Sequence, residues 1–389
     1  MHLTNEEEHV YNGESGWAKQ VSMKILVRLG DLFGAEKLIP ITSAHVSGVS
    51  YKTLGDAPIE FLKAFAEAEG KVAVRTTLNP QSLDRNYLRK RVNENIVERQ
   101  DFILEQFEKM GVTPSSTCTP YYLQAPKHRS HMAWAESSAV VYANSVLGSW
   151  TNREGGPSAL AAAIIGKTPD YGVHKKENRT PRMLVNVETR LKSETDFGAL
   201  GILLGRTLHD EIPAIRGLTR ATQDNLKQLS AALASTGMTN MFRHSTSRHA
   251  QKLERINVDA DQIKRTKESL STTTAKPDLI FLGCPHCSVD EIQQIAQLIE
   301  RNKIKSKTEF WVCTSCHIKR KAEKHVKIIE ASGGHVLDGV CTIVSWTETL
   351  GIKTIMTNSA KTTHYAPTLN KANTILAPME KCIHTLTGK

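Results

Sequence analysis

The feature that most constrains the fold is an alternation of short apolar strands with amphipathic helices near the C-terminus. Residues 278–282, 310–312 and 354–356 are strand-like apolar runs, and residues 289–302 carry apolar side chains at helical spacing. Strands that alternate with helices predict a parallel sheet covered by helices. The predicted class is therefore α/β, with several parallel or mixed sheets.

Cysteines and polar residues follow these predicted strands. Cys284 comes after the first strand, Cys341 lies in a later strand end, and residues 358–361 read Asn-Ser-Ala-Lys. Ligands of open α/β sheets bind beyond the carboxyl ends of the strands. The sequence therefore predicts a ligand site at this edge.

Composition excludes several other classes. The chain has 389 residues, 40% of them hydrophobic, and a net charge of +10. The basic residues are scattered rather than grouped, which argues against a nucleic-acid partner. No apolar run reaches the roughly 18 residues that a membrane span needs, and the acidic start does not resemble a signal peptide. Seven cysteines, an odd number, fit a reducing cytoplasm.

Changes in composition divide the chain into three predicted lobes. Residues 1–130 form an N-terminal α/β lobe, and residues 131–270 form a middle α/β lobe with a helical connection. Residues 271–389 form a C-terminal α/β lobe that carries Cys284 and Cys341. Residues 71–74 are predicted as a strand, and the polar stretch 240–275 as a helical linker.

Two CxxC pairs offer one metal site. Cys284 and Cys287 precede Cys313 and Cys316 with 25 residues between the pairs. Four thiolates suit zinc, but this gap exceeds the roughly 15–20 residues of a zinc ribbon. It also contains a predicted helix and strand. The roles of three cysteines therefore stay undecided. Cys287, Cys313 and Cys316 are either buried core thiols or neighbours of a metal.

Three cysteines from separate segments offer a second candidate metal site. Cys118, Cys284 and Cys341 each lie in a loop or strand end beside small or polar residues. Three thiolates can hold an iron–sulfur cluster and leave one iron open, and an open iron can act as a Lewis acid. Spacing alone leaves both the zinc site and the cluster possible.

Polar loops with basic residues follow other apolar segments. They are residues 75–80, 152–156 and 358–361. Glycine pairs let backbone N–H groups approach an anion, and Lys or Arg supplies charge. An ordinary turn is the alternative for each loop. His45 could be a ligand, an acid–base group or a buried structural histidine.

At these residues the sequence resembles the large subunit of the aconitase X family, a branch of the aconitase superfamily. The motifs that carry the resemblance run in order along nearly the whole chain. They are residues 43–51 (SAHVSGVSY), 76–80 (TTLNP), 118–121 (CTPY), 152–160 (NREGGPSAL), 283–286 (GCPH), 358–361 (NSAK) and 364–367 (HYAP).

The resemblance implies an aconitase-like fold, with α/β lobes around a central cluster site. It implies cluster ligands at Cys118, Cys284 and Cys341, and an iron–sulfur cluster of the 4Fe-4S type with one open iron. Cys316 departs from the family pattern. The implied substrate-binding residues are Ser43, His45, Ser47, Gly48, Thr76, Asn79, Asn152, Arg153, Glu154, Ser359 and Lys361.

The resemblance also implies an activity and a partner. The family consists of hydro-lyases that dehydrate small anionic hydroxy acids. Archaeal two-subunit members convert mevalonate 5-phosphate to trans-anhydromevalonate 5-phosphate in isoprenoid biosynthesis, and other members dehydrate cis-3-hydroxy-L-proline. Because no swivelling domain follows the last motif, a separate small subunit is expected to supply it, together with a serine general base. The expected assembly is a heterodimer or larger. A zinc-stabilised nucleic-acid-binding protein is the remote alternative.

Overall fold

The structure, a computed structural model, describes residues 1–244, 253–300, 303–304 and 307–388. The chain forms two compact units. The first unit contains residues 1–80 and 93–180, and the second contains residues 81–92 together with residue 181 to the C-terminus. In the described part of the chain, no helix is long and apolar enough to cross a membrane.

The first unit combines two small sheets with seven helices among its described residues. Strands β2 (Ser43–Val46), β3 (Arg75–Leu78) and β4 (Ala133–Trp134) form a parallel sheet, and β1 (Leu38–Pro40) pairs antiparallel with β5 (Lys167–Pro169). The helices are α1 (Asn5–Asn12), α2 (Trp17–Leu32), α3 (Tyr51–Leu54), α4 (Ala57–Glu67), α5 (Glu94–Lys109), α6 (Ser137–Tyr142) and α7 (Gly156–Ile165).

The core of the first unit lies where α7 packs against the parallel sheet. Residues 159–164 of α7 are all buried. The structure places a strand at β3, and not at residues 71–74 as the sequence predicts. Val72 N–H and Ala73 N–H instead donate to the carbonyls of Met110 and Ala163. Residues 71–74 are therefore held by the ends of two helices.

The second unit contains two parallel sheets. The smaller one has the order β8-β7-β6-β9, from β6 (Met183–Val187), β7 (Pro213–Arg216), β8 (Arg243–His244) and β9 (Glu254–Val258). Its helices are α8 (Glu194–Leu208), α9 (Gln223–Thr236) and α10 (Ala260–Ser269). The predicted helical linker over 240–275 does contain a helix, α10, but β8 and β9 within it are strands of this sheet and not linker. Residues 245–252 lie outside the described residues.

The larger sheet has the order β12-β11-β10-β13-β14 and is parallel throughout. Its strands are β10 (Leu279–Leu282), β11 (Glu309–Thr314), β12 (His335–Asp338), β13 (Thr354–Thr357) and β14 (Asn373–Leu376). Its helices are α11 (Val289–Ile299), α12 (Cys316–Lys321), α13 (Glu323–Ala331), α14 (Ala360–Leu369) and α15 (Met379–Thr387). The predicted α/β class with several parallel sheets is confirmed.

Strand β10 lies at the centre of this sheet. All four of its residues are buried, as expected of a parallel strand that is covered on both faces. The Asp278 carboxylate accepts hydrogen bonds from the backbone N–H groups of Lys353 and Thr354, both at 2.9 Å. This contact fixes the start of β13 beside the start of β10.

Residues 81–92 belong to the second unit, although residues of the first unit flank them in sequence. Gln81 N–H donates to the Gly339 carbonyl at 3.0 Å, and Cys341 N–H donates to the Gln81 carbonyl at 3.2 Å. The backbone on both sides of Val340 is therefore bonded to residue 81.

Candidate functional site

The larger sheet of the second unit has a switch point between β10 and β13. From β10 the chain adds β11 and then β12 on one side, and it later adds β13 and β14 on the other. Such a switch opens a crevice at the carboxyl ends of the two central strands. Cys284 follows β10, and Asn358 and Ser359 follow β13. The structure thus brings these three predicted loop residues to one edge.

A glycine lets the first cysteine loop lie against the neighbouring strand. Gly283 has φ +114°, and a Cβ there would lie 2.2 Å from the Cys313 carbonyl oxygen. Cys287 N–H donates to the same carbonyl at 2.9 Å. The loop that carries Cys284 is therefore fixed against the end of β11.

Cys284 and Cys341 form an interacting pair of thiols in this unit. Burial and, after it, charge on Cys284 together raise the pKa of Cys341 to about 12, whereas Lys361 opposes the shift. Part of Cys341 still reaches the surface, while Cys284 is buried. Because metal coordination removes thiol protons, two interacting thiols of which one is buried and the other is partly accessible fit a thiophilic metal or an iron–sulfur cluster.

A third thiol lies near this pair. Burial raises the pKa of Cys313 well above its ordinary value, and charge on Cys341 and Cys284 adds to the shift. The Cys313 Sγ lies 3.9 Å from the Thr342 Oγ1. Cys316, by contrast, is exposed. Among the described residues, no group of three or more His, Cys, Asp or Glu side chains is arranged to hold a metal ion.

The N-terminus of α14 gives this edge a positive character. Ser359 caps the helix by accepting from the Thr362 N–H at 3.2 Å, and Lys361 lies in the first turn. The charge of Lys361 acts on the thiol of Cys341. A helix N-terminus and an ammonium group both favour an anion.

The first unit has its own polar edge, at the carboxyl ends of β2 and β3. Ser47 and Gly48 follow β2, and Asn79 follows β3. Asn79 N–H donates to the Val46 carbonyl at 2.9 Å, and its side-chain amide donates to Glu136 Oε2 at 3.0 Å. Sequence reasoning missed Glu136, which has no motif of its own and is recognisable only from this contact.

His45 is a buried neutral histidine at this edge. Its Nδ1 lies 2.7 Å from the Thr77 Oγ1. Burial lowers the pKa of His45 to about 4, and Glu136 and Asn79 only partly oppose the shift. Within the described residues, His45 Nε2 and Asn79 Oδ1 are both buried without a hydrogen-bond partner. Because Asn79 also acts on the His45 ring as a hydrogen-bonding side chain, the two side chains can bind each other or a polar ligand.

Cys118 lies beside the same edge. The preceding Thr117 N–H donates to the Leu78 carbonyl at 2.8 Å, at the end of β3. The Thr117 and Thr119 hydroxyls lie 3.1 Å apart, and Cys118 itself is buried. The chain around this thiol is therefore held next to Asn79.

Other predicted residues of the first unit lie elsewhere or are already bonded. Ser43 and Thr76 lie toward the opposite end of β2 and β3; Ser43 accepts from the Trp134 indole at 3.2 Å, and Thr76 donates to the Val74 carbonyl at 2.9 Å. Arg153 pairs with Trp134 through a backbone bridge.

Asn152 and Glu154 bond to the segment around residues 168–173. Asn152 donates to the Tyr171 carbonyl at 3.0 Å and accepts from the Val173 N–H at 2.9 Å. Glu154 accepts from Ser158 at 2.5 Å and from Thr168 at 3.3 Å, and burial raises its pKa. Their predicted role as substrate contacts stays a prediction.

The folds and the cysteine loops together define an aconitase-like α/β protein. Three domain models of aconitase X match the chain, the first domain over residues 1–177, the second over 181–268 and the third over 277–388. The chain belongs to the aconitase X family, as the sequence motifs predict. The predicted lobe boundaries at 130 and 270 stay predictions.

Known relatives agree with this assignment. The chain is 44% identical to a phosphomevalonate dehydratase large subunit of Methanocaldococcus jannaschii, over 98% of this chain and 99% of the relative. It is similar to the crystal structure of aconitase X from Thermococcus kodakaraensis in its holo-form, with a TM-score of 0.92, 41% identity and coverage of 98% and 99% of the two chains. A cis-3-hydroxy-L-proline dehydratase of Pseudomonas aeruginosa is 31% identical over 97% of this chain and 68% of the relative.

Proposed function

We propose that this chain is the large subunit of a phosphomevalonate dehydratase, a hydro-lyase. It would remove water from mevalonate 5-phosphate to give trans-anhydromevalonate 5-phosphate. The observation that carries the proposal is the 44% identity, over nearly the full length of both chains, to a relative with that name. The position of Cys284 supports it, because this thiol follows β10 at the switch point, where open α/β sheets generally bind ligands.

The proposed cofactor is an iron–sulfur cluster held by Cys118, Cys284 and Cys341. The proposed form is 4Fe-4S with one open iron. When bound, such a cluster supplies a Lewis acid for the leaving hydroxyl group of the substrate. The chemistry of the Cys284–Cys341 pair and the burial of Cys118 support the choice of ligands.

The side chains of this chain would bind and orient the anionic substrate. Lys361 and the N-terminus of α14 supply positive charge for a carboxylate or phosphate group. His45 stays neutral at pH 7, because its pKa lies near 4, and therefore offers a hydrogen bond without a competing charge. Asn79 adds a carboxamide that Glu136 holds in place.

The proposed partner is a small subunit with a swivelling domain. The name of the M. jannaschii relative, a large subunit, supports the existence of such a partner. The partner would supply a serine that takes the proton alpha to the carboxylate. The large subunit would hold the cluster and much of the substrate.

The first experiment measures iron and acid-labile sulfide in protein that is purified without oxygen together with its small subunit. We expect iron and sulfide in near-equal amounts, and dehydration of mevalonate 5-phosphate. The same preparation is then given cis-3-hydroxy-L-proline, the substrate of the more distant relative. If the enzyme converts only the imino acid, mevalonate 5-phosphate is not its substrate. If the protein contains zinc without sulfide, it does not hold an iron–sulfur cluster.

A further inference from the structure

A buried lysine of α9 lies behind the cysteine loops. Lys227 is 1% exposed. Its ammonium group contacts the Glu291 carboxylate, lies 3.0 Å from Asp224 Oδ1 and donates to the His286 carbonyl at 3.2 Å. A buried charge is costly unless it is paired and hydrogen-bonded. These three acceptors provide that pairing.

The partners of Lys227 fix the turn that follows Cys284. Glu291 accepts from the Ser288 N–H at 2.9 Å, and Ser288 Oγ accepts from the Glu291 N–H at 3.1 Å. Ser288 also donates to Asp224 Oδ2 at 3.0 Å. The start of α11 is therefore bonded to α9, a helix that sequence reasoning did not connect with the site.

His286 continues these contacts to the second cysteine loop. Its Nε2 donates to the Val340 carbonyl at 2.7 Å, and a carbonyl can only accept, so Nε2 carries a proton. Cys284 lies two residues before His286, and Cys341 directly follows Val340. One buried side chain thus joins the two loops.

We propose that Lys227 and His286 are positioning residues that set the placement of the Cys284 and Cys341 thiols relative to each other. The proposal rests on the proposed function, in which these thiols hold the cluster. Lys227 fixes the backbone of the first loop through the His286 carbonyl, and His286 fixes the second loop through the Val340 carbonyl. Both bonds end on backbone carbonyl groups of the loops.

The positions of these bonds favour this role over simple stabilisation. Replacing both partners of a buried ion pair with apolar residues is often neutral for stability, whereas removing one partner is destabilising, so the Tm must be measured beside any effect on the metal. Here the two bonds end on backbone carbonyls within two residues of the cysteines. Groups that orient metal ligands in this way typically change metal affinity or activity by about 10- to 100-fold when they are removed.

The test compares four variants of the full chain, produced with the small subunit and without oxygen. Lys227→Met and His286→Leu remove the two bonds, and His286→Gln keeps a donor near the Nε2 position. Arg91→Met is the control, because it breaks the Arg91–Glu309 pair, whose two contacts measure 3.0 Å and 2.8 Å. Glu309 begins β11, whereas the cysteine loops contact the other end of that strand. The readouts are the rate of iron release to a chelator, the visible circular dichroism of the cluster and the Tm.

We expect iron release to be about 10- to 100-fold faster in Lys227→Met and His286→Leu, with altered circular dichroism. His286→Gln should recover most of the wild-type rate. Arg91→Met should lower the Tm but leave iron release and the spectrum unchanged. If Lys227→Met does not fold, the test compares the iron-release rates of His286→Leu and His286→Gln.

Two results separate the possible failures. If the wild type holds iron and sulfide, and folded His286→Leu and Lys227→Met release iron at the wild-type rate, the positioning role is wrong and the proposed function stands. If the wild type itself holds neither iron nor sulfide, the proposed function fails, and the positioning role fails with it.

Discussion

The two polar edges of this protein differ in how they accommodate a buried titratable side chain. In the second unit, Lys227 and Glu291 form a buried, directly bonded pair whose contacts hold the cysteine loops. In the first unit, His45 is neutral, and its Nε2 and the Asn79 Oδ1 are buried without partners among the described residues. The second edge thus pairs its buried titratable groups with each other, whereas the first edge keeps its buried histidine neutral. Both edges also contain buried polar atoms without a hydrogen-bond partner among the described residues, since Asn358 Oδ1 and Thr362 Oγ1 have none at the second edge.

The largest expected effect is the loss of the cluster when a thiol of the second edge is removed. Cys341→Ser should lose the iron, the sulfide and the visible chromophore, and turnover should fall below detection, because oxygen is a poor substitute for a thiolate ligand. Iron analysis and a dehydration assay measure both effects. The matched control is Cys316→Ser, because Cys316 is exposed; a loss of metal in that variant would favour the CxxC zinc site.

Gly283 should be the most sensitive backbone position of the same edge. Gly283→Ala places a Cβ 2.2 Å from the Cys313 carbonyl oxygen at a positive φ of 114°, so we expect a loss of about 3 kcal/mol or more in the free energy of unfolding. Urea unfolding measures it. Gly351→Ala is the control, since Gly351 has a positive φ of 74° but no neighbour within 4 Å. Equal losses in the two variants would argue against close packing at Gly283.

The buried neutral His45 at the edge of the first unit should make the free energy of unfolding depend on pH. The folded pKa of His45 is about 4, below its ordinary value of 6.5, so the unfolded chain binds more protons between these values. Stability should therefore be complete above pH 6.5 and fall as the pH drops toward 4, by about 2 kcal/mol between pH 7 and pH 5. Urea unfolding of the wild type and of His45→Gln measures this.

His174 provides the comparison for that measurement. Burial also lowers its pKa, to about 3, and it remains in the His45→Gln variant. The variant should therefore keep the part of the acid sensitivity that His174 causes and lose the part that His45 causes. An unchanged difference between pH 7 and pH 5 would show that His45 does not titrate as a buried group.

The smallest expected effect concerns the carboxylate behind Asn79. Glu136→Gln keeps the shape but removes the charge that accepts from Asn79 and Ser138, at 3.0 Å and 2.8 Å. We expect a loss of about 1 kcal/mol in stability and a larger rise in KM than fall in kcat. Steady-state kinetics measures the split. A fall in kcat alone would place Glu136 in the chemical step instead of in binding.

The sequence predicts the second edge better than the first, for a physical reason. Cys284 and Ser359 follow strands of the predicted alternating pattern, and parallel strands bring such residues to one edge. Cys341 instead follows β12, a strand outside the predicted pattern. Lys227 escapes prediction because a charged residue on a helix looks like part of a solvated surface until the fold buries it. Glu136 escapes prediction because its role as the residue that caps α6 and binds Asn79 has no sequence motif. The family, the fold class and the kinship with dehydratases are confirmed, whereas the cytoplasmic location and the individual ligand roles stay predictions.

The pairing of residue 81 with residues 339 and 341 has a consequence for synthesis and for protein engineering. The ribosome makes Gln81 long before it makes Gly339 and Cys341, so this backbone pairing must wait until nearly all of the chain has emerged. A truncated chain that starts at residue 181 would lack this partner for the Cys341 loop. The second unit should therefore be studied within the intact polypeptide, or after a rearrangement of the chain that restores residues 81–92.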